Sequence, residues 1–163
     1  MRAASVSRGL AAAVRTVALL ALSATPAFAA YGGVTTPAYQ ENVGTSFQVT
    51  GWAIDFGGSM IGTGVDQVDI YTCPTSCTGS NATFRGTATY GLPRPDIEIQ
   101  YDSSRVLNSG FSFSLTLAPG TYQVQARAHS TFFGVWTTFT RTFNVTTTPP
   151  RIVIETPTSN GVV

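Results

Sequence analysis

The chain has no lysine, and only 10% of its 163 residues are charged. From residue 30 onward six arginines meet eight acidic residues, a net charge of −2. A nucleic-acid-binding surface needs a basic stripe to displace counterions from phosphates, and none is present. Long apolar runs are equally scarce. Beyond the first 29 residues no stretch approaches the ~18–20 residues of a membrane-spanning helix. The strong helix formers Leu, Glu and Met, none branched at Cβ, are few, whereas Thr, Ser, Gly, Val, Phe and Tyr are plentiful. β-Branched and aromatic side chains pack well on a pleated surface, so this is an all-β composition. Two cysteines and a lone distant histidine, His129, do not supply the four ligands of a zinc site. The Cys73–Cys77 spacing is one residue longer than the Cys-x-x-Cys of redox motifs.

The first 29 residues differ from the rest. Arg2, Arg8 and Arg15 form a positive n-region, and Thr16–Ala24 is an apolar run too short to cross a bilayer. Ala27-Phe28-Ala29 is a small-x-small cleavage site. Residues 1–29 therefore read as a cleaved signal peptide, and the working protein starts at Ala30. Export to an extracellular or periplasmic space is oxidising, so Cys73 and Cys77 are expected to form one local disulfide.

Alternation marks the strands. Phe47–Ile54 places Phe47 and Val49 on one face, and Val65–Tyr71 turns Val68 and Ile70 inward. Ala82–Tyr90 reads as one further strand. Phe111, Phe113, Leu115 and Leu117 form the cleanest apolar row. Tyr122–Ala128 alternates again after a turn at Ala118-Pro119-Gly120. Thr137–Val145 closes the set with Phe139, Phe143 and Val145, and a weaker strand lies near Val34–Pro37. Phe56–Gly64 is a glycine-rich loop. Leu92–Asn108 reads as a turn or short helix opening at Pro95-Asp96, with a strand over Ile97–Tyr101 as the alternative. Turns at this spacing suit a two-sheet sandwich.

Several blocks, in order, carry a resemblance: Gly51-Trp52-Ala53-Ile54-Asp55, Gly64–Tyr71, Gly86–Asp96 (which contains Tyr-Gly-Leu-Pro-Arg-Pro-Asp) and Asn108–Phe113. Together they resemble the bacterial immunoglobulin-like repeat of exported and cell-surface proteins over about residues 33–146. The resemblance implies an immunoglobulin-like antiparallel β-sandwich of about seven strands. It also implies a role as a spacer or binding accessory beside other modules, and no catalytic residue. The Cys73–Cys77 loop and Phe132-Phe133-Gly134-Val135-Trp136 depart from the family pattern. An internal echo points to tandem repeats. Val34-Thr35-Thr36-Pro37 is matched by Ile154-Glu155-Thr156-Pro157 beyond a Thr/Pro linker. The expected organisation is a signal peptide (1–29), a sandwich domain (30–146), and a linker with the truncated start of a second repeat (147–163).

Individual residues refine the expectation. Trp52 lies mid-strand and is expected in the buried core. Arg94 and Asp96 are expected to form an ion pair that pins the Pro-Arg-Pro-Asp turn. Asp55, Asp66 and Asp69 lack the spacing of a calcium loop, so no metal or other cofactor is expected. Nothing like Gly-x-Ser-x-Gly accompanies His129, so no catalytic residue is assigned. Phe132, Phe133 and Trp136 are the candidate ligand-binding residues, because large aromatics at a loop tip can stack on sugar rings or anchor a partner. The expected function is a non-catalytic structural or adhesive repeat module, with neighbouring repeats as partners. The alternative is a carbohydrate-binding accessory domain that holds a cell-surface glycan through these aromatics.

Overall fold

A computed structural model describes residues 30–57, 62–78 and 80–147. The expected signal peptide, the linker beyond Thr147 and the second-repeat segment lie outside the described residues. Among the described residues nine strands form: β1 (Tyr31–Thr36), β2 (Asn42–Val43), β3 (Ser46–Ile54), β4 (Val65–Pro74), β5 (Thr83–Thr87), β6 (Thr89–Leu92), β7 (Gly110–Thr116), β8 (Gly120–Ser130) and β9 (Trp136–Val145). They make two facing sheets, one in the order β1-β3-β7-β6 and the other in the order β2-β9-β8-β4-β5. Every pairing is antiparallel except β2 with β9, which is parallel. The result is an all-β sandwich with one short helix.

The alternation seen in the sequence builds the core. Val49 and Ala53 of β3 and Phe111 and Leu115 of β7 face Val68 and Ile70 of β4. Val124, Ala126 and Ala128 of β8 and Phe143 and Val145 of β9 complete that layer. Each large side chain taken out of water contributes about 1.5–3 kcal/mol. Phe47 and Tyr122 close over Phe143 at 5.2 and 6.2 Å between ring centroids. Gly51 has to be glycine, because a Cβ there would lie 2.2 Å from the Gly33 carbonyl oxygen and 2.4 Å from the Phe111 ring.

Two expectations change. The strand expected over Ala82–Tyr90 is two strands on different sheets. β5 pairs with β4, the chain crosses the sandwich at buried Ala88, and β6 pairs with β7. The Ala88 N–H still donates to the Val68 carbonyl at 2.8 Å, which fixes the crossing point. Periodicity alone cannot show a change of sheet, because the in/out alternation continues through it.

Trp52 is the second correction. It is only half-buried and lies outside the main core. Inward positions on β3 are Phe47, Val49, Gly51 and Ala53, so Trp52 and Ile54 point to the opposite face. A second, smaller cluster forms there from Ile54, Ile97 and Val106, with Trp52 and Tyr101 packed against it. Helix α1 (Pro95–Tyr101) and a 3₁₀ turn at Ser104–Val106 supply that cover. Leu92–Asn108 therefore takes the helical alternative. Pro95 opens α1, Asp96 and Glu98 sit in its first turn near the positive end, and left-handed Asp102 ends it.

Candidate functional site

At one pole of the sandwich β1 begins, the β3–β4 loop passes and the β8–β9 hairpin turns. The hairpin is short and tied down. Its Ser130 N–H donates to Val135 O at 2.9 Å, and the Gly134 N–H donates to Ser130 O at 2.9 Å. Gly134 supplies the left-handed turn with φ of 65°. Thr131 N–H reaches across to Gly64 O at 3.0 Å.

Beneath the hairpin lies a buried carboxylate. Asp55 is 2% exposed. One of its oxygens accepts the Gly57 N–H at 2.7 Å, and the other accepts the hydroxyl of fully buried Ser130. The Ser130 hydroxyl oxygen in turn accepts the Phe133 N–H at 3.0 Å. Asp55 thus fastens the β3–β4 loop and the hairpin together. With the hairpin backbone fixed, its aromatic side chains remain in water: Phe132 is 55% exposed, Phe133 43% and Trp136 46%.

Phe132 and Phe133 pack edge to face at 4.6 Å. The Phe133 ring lies against Gly57, where a Cβ would come within 2.3 Å of it. Next to Gly57, exposed Phe56 contacts Tyr31 at 6.3 Å and Tyr101 at 5.4 Å, with the Arg105 guanidinium 5.1 Å above its ring. Tyr101 continues the row to Trp52 at 5.9 Å. Trp136 belongs to the other side of the hairpin. It stands opposite His129 in the β8–β9 ladder, with the two rings 5.0 Å apart. His129 Nδ1 lies 2.7 Å from Asp66 Oδ1. The structure brings Phe132 and Phe133 together and places Trp136 beside an imidazole–carboxylate pair.

The three aspartates do not converge. Asp55 is under the hairpin, Asp66 is on His129, and Asp69 accepts from Gln67 at 2.9 Å and Thr87 at 2.7 Å. Among the described residues no group of His, Cys, Asp and Glu is placed to hold a metal ion. His129 and Ser130 are adjacent in sequence but point to opposite faces of β8, so the imidazole meets Asp66 while the hydroxyl meets Asp55. Arg94 and Asp96 do pair, at 2.8 and 2.6 Å in a two-pronged contact. The Arg94 hydrogen bond is the main reason the Asp96 carboxyl is held below its ordinary range. A disulfide joins Cys73 and Cys77 across a Cα–Cα distance of 5.1 Å.

Sequence reasoning missed Tyr31 and Phe56 as members of the aromatic row, and it missed the Asp55–Ser130 fastening. Nothing local signals that residues 75 apart meet. A second aromatic group, on the outer face of the five-stranded sheet, was also hidden. There Tyr71 contacts Phe84 at 5.2 Å under the Arg127 guanidinium, which lies 3.9 Å from the Tyr71 ring. No protein-family model matches this chain, and no curated protein matches its sequence.

Proposed function

We propose that the chain is an exported, non-catalytic immunoglobulin-like module that works as an adhesive repeat and makes contact through its aromatic pole. The strand order supports the immunoglobulin-like reading. A β1-β3-β7-β6 sheet facing a β9-β8-β4 sheet, extended by β5, follows the arrangement of that sandwich type. The n-region, apolar run and Ala27-Phe28-Ala29 site support export with cleavage before Ala30. The local disulfide is compatible with that destination.

The observation that carries the adhesive reading is the placement of the exposed aromatics. Tyr31, Phe56, Phe132, Phe133, Val135 and Trp136 are all exposed and all lie at the pole where the chain enters the sandwich. A following repeat leaves from the opposite pole, where Val145 pairs with Gly120. Exposed apolar surface of this kind marks an interaction site on a soluble protein.

The carbohydrate reading is favoured by one observation of its own. Half-exposed Trp136 is flanked by the His129–Asp66 pair, which sets hydrogen-bonding groups beside a stacking ring. One experiment addresses both readings. Beads coated with residues 30–163 are tested for retention on cell surfaces and extracellular-matrix proteins, and the soluble protein is tested on a glycan array. The adhesive reading expects retention that falls at least tenfold in Phe133→Ala. Glycan binding abolished by Trp136→Ala selects the carbohydrate reading. A well-folded protein that binds neither support removes both.

A further inference from the structure

The two sheets leave an opening on one side of the sandwich, between β1 of one sheet and β9 of the other. β2 covers only the last part of β9, pairing with Asn144 and Val145. Thr142 O accepts Gln40 N–H, and Asn144 N–H donates to Glu41 O, both at 2.8 Å. Even-numbered residues of β9 therefore turn their main-chain groups away from β8. By the same alternation, those of Thr138 and Thr140 face outward, where no strand among the described residues pairs with them. An unpaired edge of this kind is a template for another strand. Beside it, a groove of about 410 Å³ runs between Ala30–Gly32 and Thr137–Phe139. Arg141 closes the lower end of the opening by donating to Val34 O at 2.7 Å.

We infer that this edge takes up, as an added strand, the Arg151–Pro157 segment of a second copy of the chain. The segment reads Arg-Ile-Val-Ile-Glu-Thr-Pro and matches the end of β1 in Val34–Pro37. It alternates as a strand requires, with Ile152 and Ile154 on one face and Val153 and Glu155 on the other. Ile152 and Ile154 fill the groove, and Thr138 and Thr140 supply the main-chain hydrogen bonds.

Steric fit and reach fix this mode of docking. The segment cannot replace β1 itself. Aligning Pro157 with Pro37 puts Ile152 at Gly32, where a Cβ would meet Trp52 O at 2.3 Å and the Phe139 ring at 2.8 Å. Addition to β9 avoids that clash. Nor can the segment come from the same copy. The open edge starts at Thr140, about 24 Å back along β9 from Thr147 at ~3.4 Å per residue. The groove at Thr137–Phe139 lies further back, ~27–34 Å from Thr147, whereas Ile152 and Ile154 can travel only about 17 and 24 Å and must first reverse direction around β2. The described chain ends at Thr147, at the pole away from the groove, so two copies can exchange segments reciprocally or a series of copies can link head to tail.

The test uses residues 30–163. Sedimentation velocity from micromolar to near-millimolar concentration is expected to show an average mass that at least doubles. Thr138→Pro removes an outward N–H and no ladder bond, so it leaves a donor-only protein. Ile152→Asp with Ile154→Asp leaves an acceptor-only protein with an unaltered sandwich. Each variant alone is expected to stay monomeric, and their mixture is expected to form a one-to-one complex. A monomeric wild type overturns the inference, as does association that survives the double aspartate substitution. If Thr138→Pro fails to fold, a synthetic Arg151–Val163 peptide titrated against the acceptor-only protein decides: saturable binding supports the inference, and none rejects it. These outcomes do not depend on Phe133 or Trp136 binding anything.

Discussion

Removing the Asp55 carboxylate leaves the buried Ser130 hydroxyl and the Gly57 N–H, at an exposed residue, without their acceptor. Water can reach the Gly57 N–H, so the buried hydroxyl carries most of the cost. Asp55→Ala is therefore expected to lower the unfolding free energy by about 1–3 kcal/mol, read from urea melts, and to raise amide exchange at Phe133 and Gly134. Ser130→Ala leaves one oxygen of buried Asp55 without its donor and the Phe133 N–H without its acceptor, so a loss of similar size is expected. Tyr90 makes a prediction in pH. Its hydroxyl donates to Ala53 O at 2.7 Å and lies 2.8 Å from Thr63 Oγ1, and burial pushes its phenol up to about 12. The unfolded phenol ionises near pH 10. A raised folded value means that this group's stabilisation is complete below pH 10 and is lost as pH rises toward 12. Alkaline melts should show that loss, up to roughly 2–3 kcal/mol, and Tyr90→Phe should remove it. The Arg94–Asp96 pair has the opposite sign. The lowered Asp96 carboxyl makes its small stabilisation present above about pH 4, and it disappears in acid as the carboxyl protonates.

Helix α1 depends on one fully enclosed side chain. Ile97 is 3% exposed and joins Ile54 and Val106 under Trp52 and Tyr101. Ile97→Ala should cost about 2–4 kcal/mol through lost transfer energy and the cavity left behind. In a Trp136→Phe background it should shift Trp52 fluorescence to the red, because α1 no longer shields the indole. This element also shows how far the sequence could be read. Pro95-Asp96 announced the helix start through local chemistry, and the rows at Phe111–Leu117 and Tyr122–Ala128 announced strands through alternation. Local pattern determines those features. Trp52 was misplaced because alternation says which residues share a face but not which face is covered by something else. The break at Ala88 was missed for a related reason, since pairing partners are chosen by contacts far along the chain. The aromatic loop was legible as Phe132, Phe133 and Trp136. Its extension to Tyr31 and Phe56, and its anchorage on Asp55, required three distant segments to be brought to one pole.

Across the whole molecule, the two poles differ in chemistry. One carries exposed Tyr31, Phe56, Phe132, Phe133 and Trp136, and the other carries the β7–β8 turn and the departing chain. If export proceeds as proposed, N-terminal sequencing of the secreted protein returns Ala30 as the first residue, directly at the aromatic pole. A start several residues earlier would leave a tail over that pole and weaken the adhesive reading. The parallel pairing of β2 with β9 has a mechanical consequence. Tension applied between Ala30 and Thr147 pulls β2 toward one pole and β9 toward the other, along their common axis. The bonds Gln40 N–H to Thr142 O, Asn144 N–H to Glu41 O and Thr146 N–H to Val43 O are then loaded side by side and have to give way together, whereas a ladder peeled from one end opens a rung at a time. A sandwich pulled through its two ends is thereby a link that resists stretching, with a short parallel clasp, far from the aromatic pole, as the part that bears the load.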